Sequence, residues 1–257
     1  MKVENGYLIV EKQEMKNIKK ISAHEFVNLL GLNDFKLVGD TLLEMHCVFK
    51  LPSTFDPFYT KRGDVAERMM FTFYKREGYN PKRYKKGDFT NNDMFFYDKW
   101  FSGLVDISLQ KDGELPTLSE CKSKSLSAYD KISKNPPLDE VFQALLYGHL
   151  LGLNYIIMDW IFFDEKTEEE IKHDRPITTL QKVKRLFRQY NLCDYNMQEK
   201  CDRVINIVKN FRETGRIHLS QISGKVLNGL GINVNDEINL ELPDWKWLYE
   251  WFCYSSW

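Results

Sequence analysis

The stretch from Gly103 to Ser125 leaves this chain the least conformational freedom. Two runs rich in strand-forming residues, Gly103–Gln110 and Leu118–Ser125, flank a turn at Lys111-Asp112-Gly113. The pattern predicts an antiparallel hairpin. With its centre near Gly113, Asp106 and Glu120 stand at equal offsets and face each other. Side chains alternate along a strand, so Lys122 shares the face of Glu120, while Val105, Ile107 and Leu109 turn to the other. Two facing carboxylates repel, and the arrangement is costly without a cation between them. A hard divalent ion that takes oxygen ligands, magnesium or manganese, removes that cost.

This set also has a chemical use. Hydrolysis of a phosphodiester calls for a metal that polarises the phosphoryl oxygen and lowers the pKa of an attacking water. An ammonium beside it can position that water and offset charge developing on the phosphate. A D…ExK arrangement across a hairpin supplies these parts. An ExK triplet alone is common on solvated strands, and Asp106 alone says little. Two further motifs add weight: Gly63xxxGlu67 before the hairpin and Gln143xxxTyr147 after it. Residues at i and i+4 share a helix face, so Gln143 and Tyr147 can project together towards the strand edge.

The flanking pattern places these motifs. Lys61–Arg76 has helical apolar spacing at Val65, Met69, Met70 and Phe73. A capping box, Ser22-Ala-His-Glu25, opens a helix over residues 22–32. Pro137 precedes a predicted helix over Leu138–Leu151, which ends at Gly152 and leads to a strand over Asn154–Phe163. Beyond Pro176 the spacing predicts helices over Thr178–Tyr190 and Asn196–Arg212, with Lys182, Lys184, Arg185 and Arg188 on a solvated basic face. The expectation is an α/β fold, a mixed central β-sheet flanked by helices, with a helical C-terminal extension. No linker-like stretch divides the chain, so one domain is expected over 1–257, with a core at about 60–165 and the extension at about 176–257.

The ordered series Gly63xxxGlu67, Gly103-Leu-Val-Asp106, Glu120-Cys-Lys122 and Gln143xxxTyr147 resembles the RecB-like branch of the PD-(D/E)xK nuclease superfamily. That branch includes lambda exonuclease, YqaJ-type phage recombination exonucleases and CRISPR-associated adaptation nucleases. The resemblance covers about residues 60–165; the first and last quarters carry none of its motifs. It implies a restriction-endonuclease-like core and a magnesium- or manganese-dependent deoxyribonuclease acting on duplex ends. Asp106 and Glu120 would be metal ligands, joined by the main-chain carbonyl of Cys121. Glu67 would be a further ligand or hold a metal-bound water. Lys122 would position or activate the nucleophile, Gln143 would brace it, and Tyr147 would contact DNA or pack beneath the site. The alternatives are an endonuclease on the same fold, for restriction, junction resolution or defence, and a catalytically silent DNA-binding protein. The intact Asp106, Glu120, Lys122 set argues against the silent form.

The net charge of −1 gives no global positive field, so a nucleic-acid partner requires local basic stripes. The loop Gly78–Gly87 interleaves Lys82, Arg83, Lys85 and Lys86 with Tyr79 and Tyr84, suited to phosphates and stacked bases. Lys61 and Arg62 precede Glu67 and are candidates for a terminal phosphate, as a basic residue is in lambda-type exonucleases. Cys47, Cys193, Cys201 and Cys253 flank the core, but their wide spacing argues against an iron–sulfur cluster. The odd cysteine count and the absence of an apolar export or membrane-spanning segment point to reduced thiols in a cytoplasm, which the resemblance implies is that of a bacterial or phage-infected cell. The tail has Trp247, Trp251 and Tyr254 on one helical face, with Trp245, Leu248 and Phe252 on another. Such a helix buries against its own core, another subunit of a homo-oligomer, or a recombination partner.

Overall fold

A computed structural model describes residues 1–16, 20–52, 56–83, 95–97, 99–177 and 183–232. The strands in chain order begin with β1 (Lys2–Glu4), β2 (Tyr7–Ile9), β3 (Ile21–Ser22), β4 (Lys82–Arg83), β5 (Phe95–Tyr97) and β6 (Phe101–Leu104). They continue with β7 (Ile107–Leu109), β8 (Thr117–Ser125), β9 (Tyr155–Phe163), β10 (Lys184–Asn191) and β11 (Arg216–His218). The first four α-helices are α1 (Ala23–Leu29), α2 (Val38–Met45), α3 (Pro57–Arg76) and α4 (Tyr129–Lys134). The others are α5 (Leu138–Leu150), α6 (Glu165–Lys172), α7 (Met197–Thr214) and α8 (Gly224–Gly229). Two compact units result, one from described residues of 19–33 and 52–206, the other from those of 1–18, 34–51 and 207–257.

The larger unit carries a mixed five-stranded sheet in the order β10-β9-β8-β7-β4. Only β8 and β9 run parallel, and α4 and α5 lie on the crossover between them. Strand β9 is a nearly continuous buried run and the first five residues of β8 are buried too, because helices cover the two faces of the sheet. On one face Ile107, Leu109, Cys121, Ile157, Ile161 and Phe163 pack with Ala66, Met70 and Tyr74 of α3. The other face presents Leu118, Met158, Trp160 and Phe162, all fully buried, on the side of α5. A second sheet, β3-β6-β5, stands beside α1, whose capping box forms as predicted. The glycine of α5, Gly148, lets this helix approach β9: a Cβ there would lie 2.5 Å from Ile156 Cγ2 and 3.0 Å from Leu192 Cδ1.

In the smaller unit, β1, β2 and β11 form an antiparallel sheet. Buried Asp40 of α2 accepts the Ser223 N–H at 2.8 Å, and the His46 and Phe211 rings meet edge to face.

The structure corrects three expectations. Gly103–Gln110 is not one strand: it divides at Val105-Asp106 into β6 and β7, which belong to different sheets. The break is stabilised by the Asp106 side chain, which accepts the Cys121 N–H that a continuing ladder would bond to a carbonyl. The helix predicted over Thr178–Tyr190 is overturned in its described part, where Lys184–Asn191 forms β10, paired along its length with β9. Its basic residues therefore alternate between faces, and Arg185 turns inward to Asp159. The loop expected over 78–87 contains β4, which pairs with β7. The C-terminal part keeps its helical character in α7 and α8, and the aromatic tail lies outside the described residues.

Gly148→Ala should cost about 1–3 kcal/mol by overpacking α5 against β9. Gly63→Ala meets open space inside α3 and should add about 0.5–1 kcal/mol by helix propensity. Thermal melts of the two variants should move in opposite directions.

Candidate active site

Pairing of Ile107 with Ser119 sets the hairpin register, and one further step places Asp106 across from Glu120. Glu120 is 2% exposed, and its Oε1 accepts a hydrogen bond from Lys122 Nζ at 2.9 Å. Lys122 Nζ also donates to Gln143 Oε1 at 3.0 Å, and Gln143 Nε2 donates to the Tyr147 hydroxyl at 3.0 Å. The i, i+4 pair on α5 thus reaches the lysine through one continuous chain. Asp106 Oδ2 accepts the Cys121 N–H at 2.9 Å.

The second oxygen of Glu120, Oε2, is buried and has no hydrogen-bond partner among the described residues. An orphaned charged oxygen in a dry site is costly unless a cation meets it. Burial pushes the Asp106 carboxyl up to about 7, with Glu120 adding to the shift and Lys122 and the Cys121 N–H opposing it. Burial also raises Glu120, against the pull of Lys122 and with a push from Glu67. Glu67 rises through burial and the nearby charge of Asp106, with Arg83 opposing. Burial alone would lower the Lys122 ammonium, but Glu120 and Asp106 outweigh it and hold the group charged.

Arg83 donates from Nε to Glu67 Oε2 at 2.8 Å and also bonds Asp64, one turn earlier on α3. Among the described residues, no group of three or more His, Cys, Asp and Glu side chains is disposed to hold a metal ion. The carboxylate pair that faces across the hairpin is Asp106 and Glu120. Its mutual repulsion and its unsatisfied oxygen fit a hard divalent cation.

The expected basic residues are placed less uniformly. Arg62 meets the opposite face of β8 from Lys122: it bonds Glu168, Ser123 and Ser125, and its side chain is only 9% exposed. The Phe58 and Tyr59 rings stand 5.3 Å from its guanidinium carbon, so it is no open receptor for a chain end. Lys61 reaches Asp174 at 2.6 Å on the surface. Lys82 is exposed, whereas Lys85 and Lys86 lie outside the described residues. Cys121 is a buried free thiol whose pKa burial raises further; Cys47, Cys193 and Cys201 are also free.

No protein-family model matches the chain, and no curated protein does either. Solved structures do. A phage-related exonuclease from Haemophilus somnus 129PT superposes with a TM-score of 0.50 at 12% identity, over 77% of this chain and 93% of that one. LHK-Exo in complex with dAMP also gives 0.50 at 12% identity, over 79% of this chain and 92% of that one. A further structure of LHK-Exo, an alkaline exonuclease from Laribacter hongkongensis, gives 0.48 at 11% identity, over 76% and 91%. The fold is that of the phage-related exonucleases.

Within this exonuclease fold, several polar residues escaped the sequence reading. Glu140 accepts from Lys124 and, at 2.6 Å, from Trp160 Nε1. Its signal was available, since Glu140 precedes Gln143 by one helical turn and Lys124 follows Lys122 on the same strand face. Fully buried Asp159 accepts from Ser119, Tyr74 and Arg185, each at 2.6 Å. An acid interrupting the apolar run of β9 marked it, but nothing local marked Arg185.

The raised Asp106 carboxyl has a stability consequence. Its folded pKa of about 7 exceeds the ordinary 3.8, so it costs nothing below the lower value and its full amount above the higher one. In the presence of a chelator, Asp106→Asn keeps an acceptor for the Cys121 N–H and sheds this cost. Its Tm should exceed that of wild type by at least about 2–4 °C near pH 8, the shift that about 1 kcal/mol gives in a chain of this size. The gain should shrink as the pH falls through about 7 and vanish near about 4. A variant melting below wild type at the alkaline end would contradict the assignment of strain to this carboxyl.

Proposed function

We propose that the protein is a metal-dependent deoxyribonuclease that hydrolyses phosphodiester bonds starting from duplex ends. The carrying observation is the Asp106–Glu120 pair with the orphaned oxygen of buried Glu120, set beside an ammonium held charged. Asp106 and Glu120 would hold magnesium or manganese. The Cys121 carbonyl would join them, because the N–H and C=O of one strand residue point to the same side and its N–H faces Asp106. When bound, such an ion supplies a Lewis acid for the phosphoryl oxygen and acidifies a water. Lys122 keeps a fixed position through Glu120 and Gln143 and donates hydrogen bonds to the water or to charge gathering on the phosphate. Tyr147, buried beneath Gln143, fixes that amide. Glu67 stands ready as a further acid at the rim. Preference for ends is supported by the likeness to exonuclease structures.

Two measurements test this reading. Asp106→Asn and Lys122→Ala should each lower cleavage by about a hundredfold or more while the far-ultraviolet spectrum stays that of wild type. A folded variant of either kind that cuts at the wild-type rate would remove the residue from the centre. Incubation of linear and covalently closed duplexes with and without magnesium separates the modes. Loss of linear DNA alone is expected; nicked circles would replace the exonuclease with an endonuclease, and no metal-dependent loss would overturn the nuclease reading.

A further inference from the structure

Arg83 stands on the edge strand β4, and its side chain is 12% exposed. Two of its nitrogens converge on one oxygen, Glu67 Oε2, with Nε at 2.8 Å and Nη2 at 2.7 Å. The guanidinium also bonds Asp64, but Asp64 has a second cation in Arg68 at 3.0 Å. The two carboxylates are therefore not equivalent: Asp64 stays paired if Arg83 leaves, whereas Glu67 returns to the field of Asp106 with its charge uncompensated.

We propose that Arg83 is an exchangeable counter-ion of the candidate active site, held by Glu67 until a divalent cation takes that carboxylate and then turned to a DNA phosphate. The inference rests on the nuclease reading. A divalent ion brings two charges to Glu67 where the guanidinium brings one, so it wins the shared oxygen. The released guanidinium keeps its planar fork, which suits a phosphate through parallel hydrogen bonds. It stands on the strand next to β7, the strand that Asp106 precedes. At no stage is the half-buried Glu67 carboxylate or the guanidinium left without an opposite charge. Metal and DNA are then coupled: each frees the partner that the other needs, and by linkage each raises affinity for the other.

The test measures manganese binding by calorimetry and DNA binding by fluorescence anisotropy on a short duplex, each in wild type, Arg83→Gln and Arg83→Lys. The anisotropy proteins also carry Lys122→Ala, so that the strand stays whole. With its competitor gone, Glu67 should give Arg83→Gln an affinity for manganese on the order of tenfold above wild type, the weight of one charge-assisted hydrogen-bonded pair. The gain in DNA affinity that manganese gives wild type should disappear in the same variant. Arg83→Lys keeps the charge without the fork and should fall between the two; it carries the test if Arg83→Gln does not fold. An arginine that merely shored up β4 would weaken both affinities when replaced. Unchanged or weaker manganese binding in a folded variant overturns the proposal. Failure of wild type to bind manganese, or equal binding by Asp106→Asn, overturns the metal reading beneath it.

Discussion

The larger unit is organised around one unfavourable fact: two carboxylates, half-buried Asp106 and buried Glu120, face each other at the end of a hairpin. Lys122 makes this tolerable, and what holds Lys122 reaches through the rest of the fold. Gln143 fixes the ammonium from α5, so the site needs the crossover helix that also makes β8 and β9 parallel. The Cys121 N–H fixes Asp106, so the site also needs the break between β6 and β7. Neither device stabilises the chain much by itself. Together they keep like charges at a separation that an apolar core would not enforce.

Strand β8 is the common rail. Ser119 bonds Asp159, Glu120 and Lys122 bond each other, the Cys121 N–H bonds Asp106, Ser123 meets Arg62, Lys124 meets Glu140, and Ser125 meets Glu168. Odd positions feed a polar network under α3 and α6, while even positions feed the one under α5. A slip of one residue would exchange these sets and strand every charge on the wrong face. Polar pairing thus fixes register here as strictly as hydrophobic alternation does elsewhere.

Much of this was legible in the sequence where periodicity and turn chemistry act locally. The hairpin register, α3, α5 and β9 followed from spacing, which also put Gln143 and Tyr147 on one helix face, whereas the link from Gln143 to Lys122 was implied only by the family resemblance. The division at Val105-Asp106 was not legible, because both halves read as strand and only a side-chain hydrogen bond separates them. Strand β10 was read as helix because an edge strand carries charges at positions that a buried strand would fill with apolar groups. Its tie to the core, Arg185 to Asp159, is a long-range pair with no local signature. The two compact units were hidden for a related reason: each gathers segments that are separated along the chain. Arg83 was expected among the phosphate contacts, and its bond to Glu67 became visible only once β4 had placed it beside α3.

The parallel pairing of β8 with β9 also sets an order of events during synthesis. The hairpin can close as soon as β8 leaves the ribosome, but its carboxylates then face water and repel one another freely. Burial waits for the crossover helix and for Phe163, the last residue of β9. At elongation rates of about 5–20 residues per second, the nascent chain therefore passes through an interval of seconds with a formed hairpin and an unassembled charge centre. During that interval Glu120 and Lys122 are ordinary solvated residues. The charge centre assembles only with the parallel strand, so a truncated or stalled chain holds the motif and lacks its arrangement.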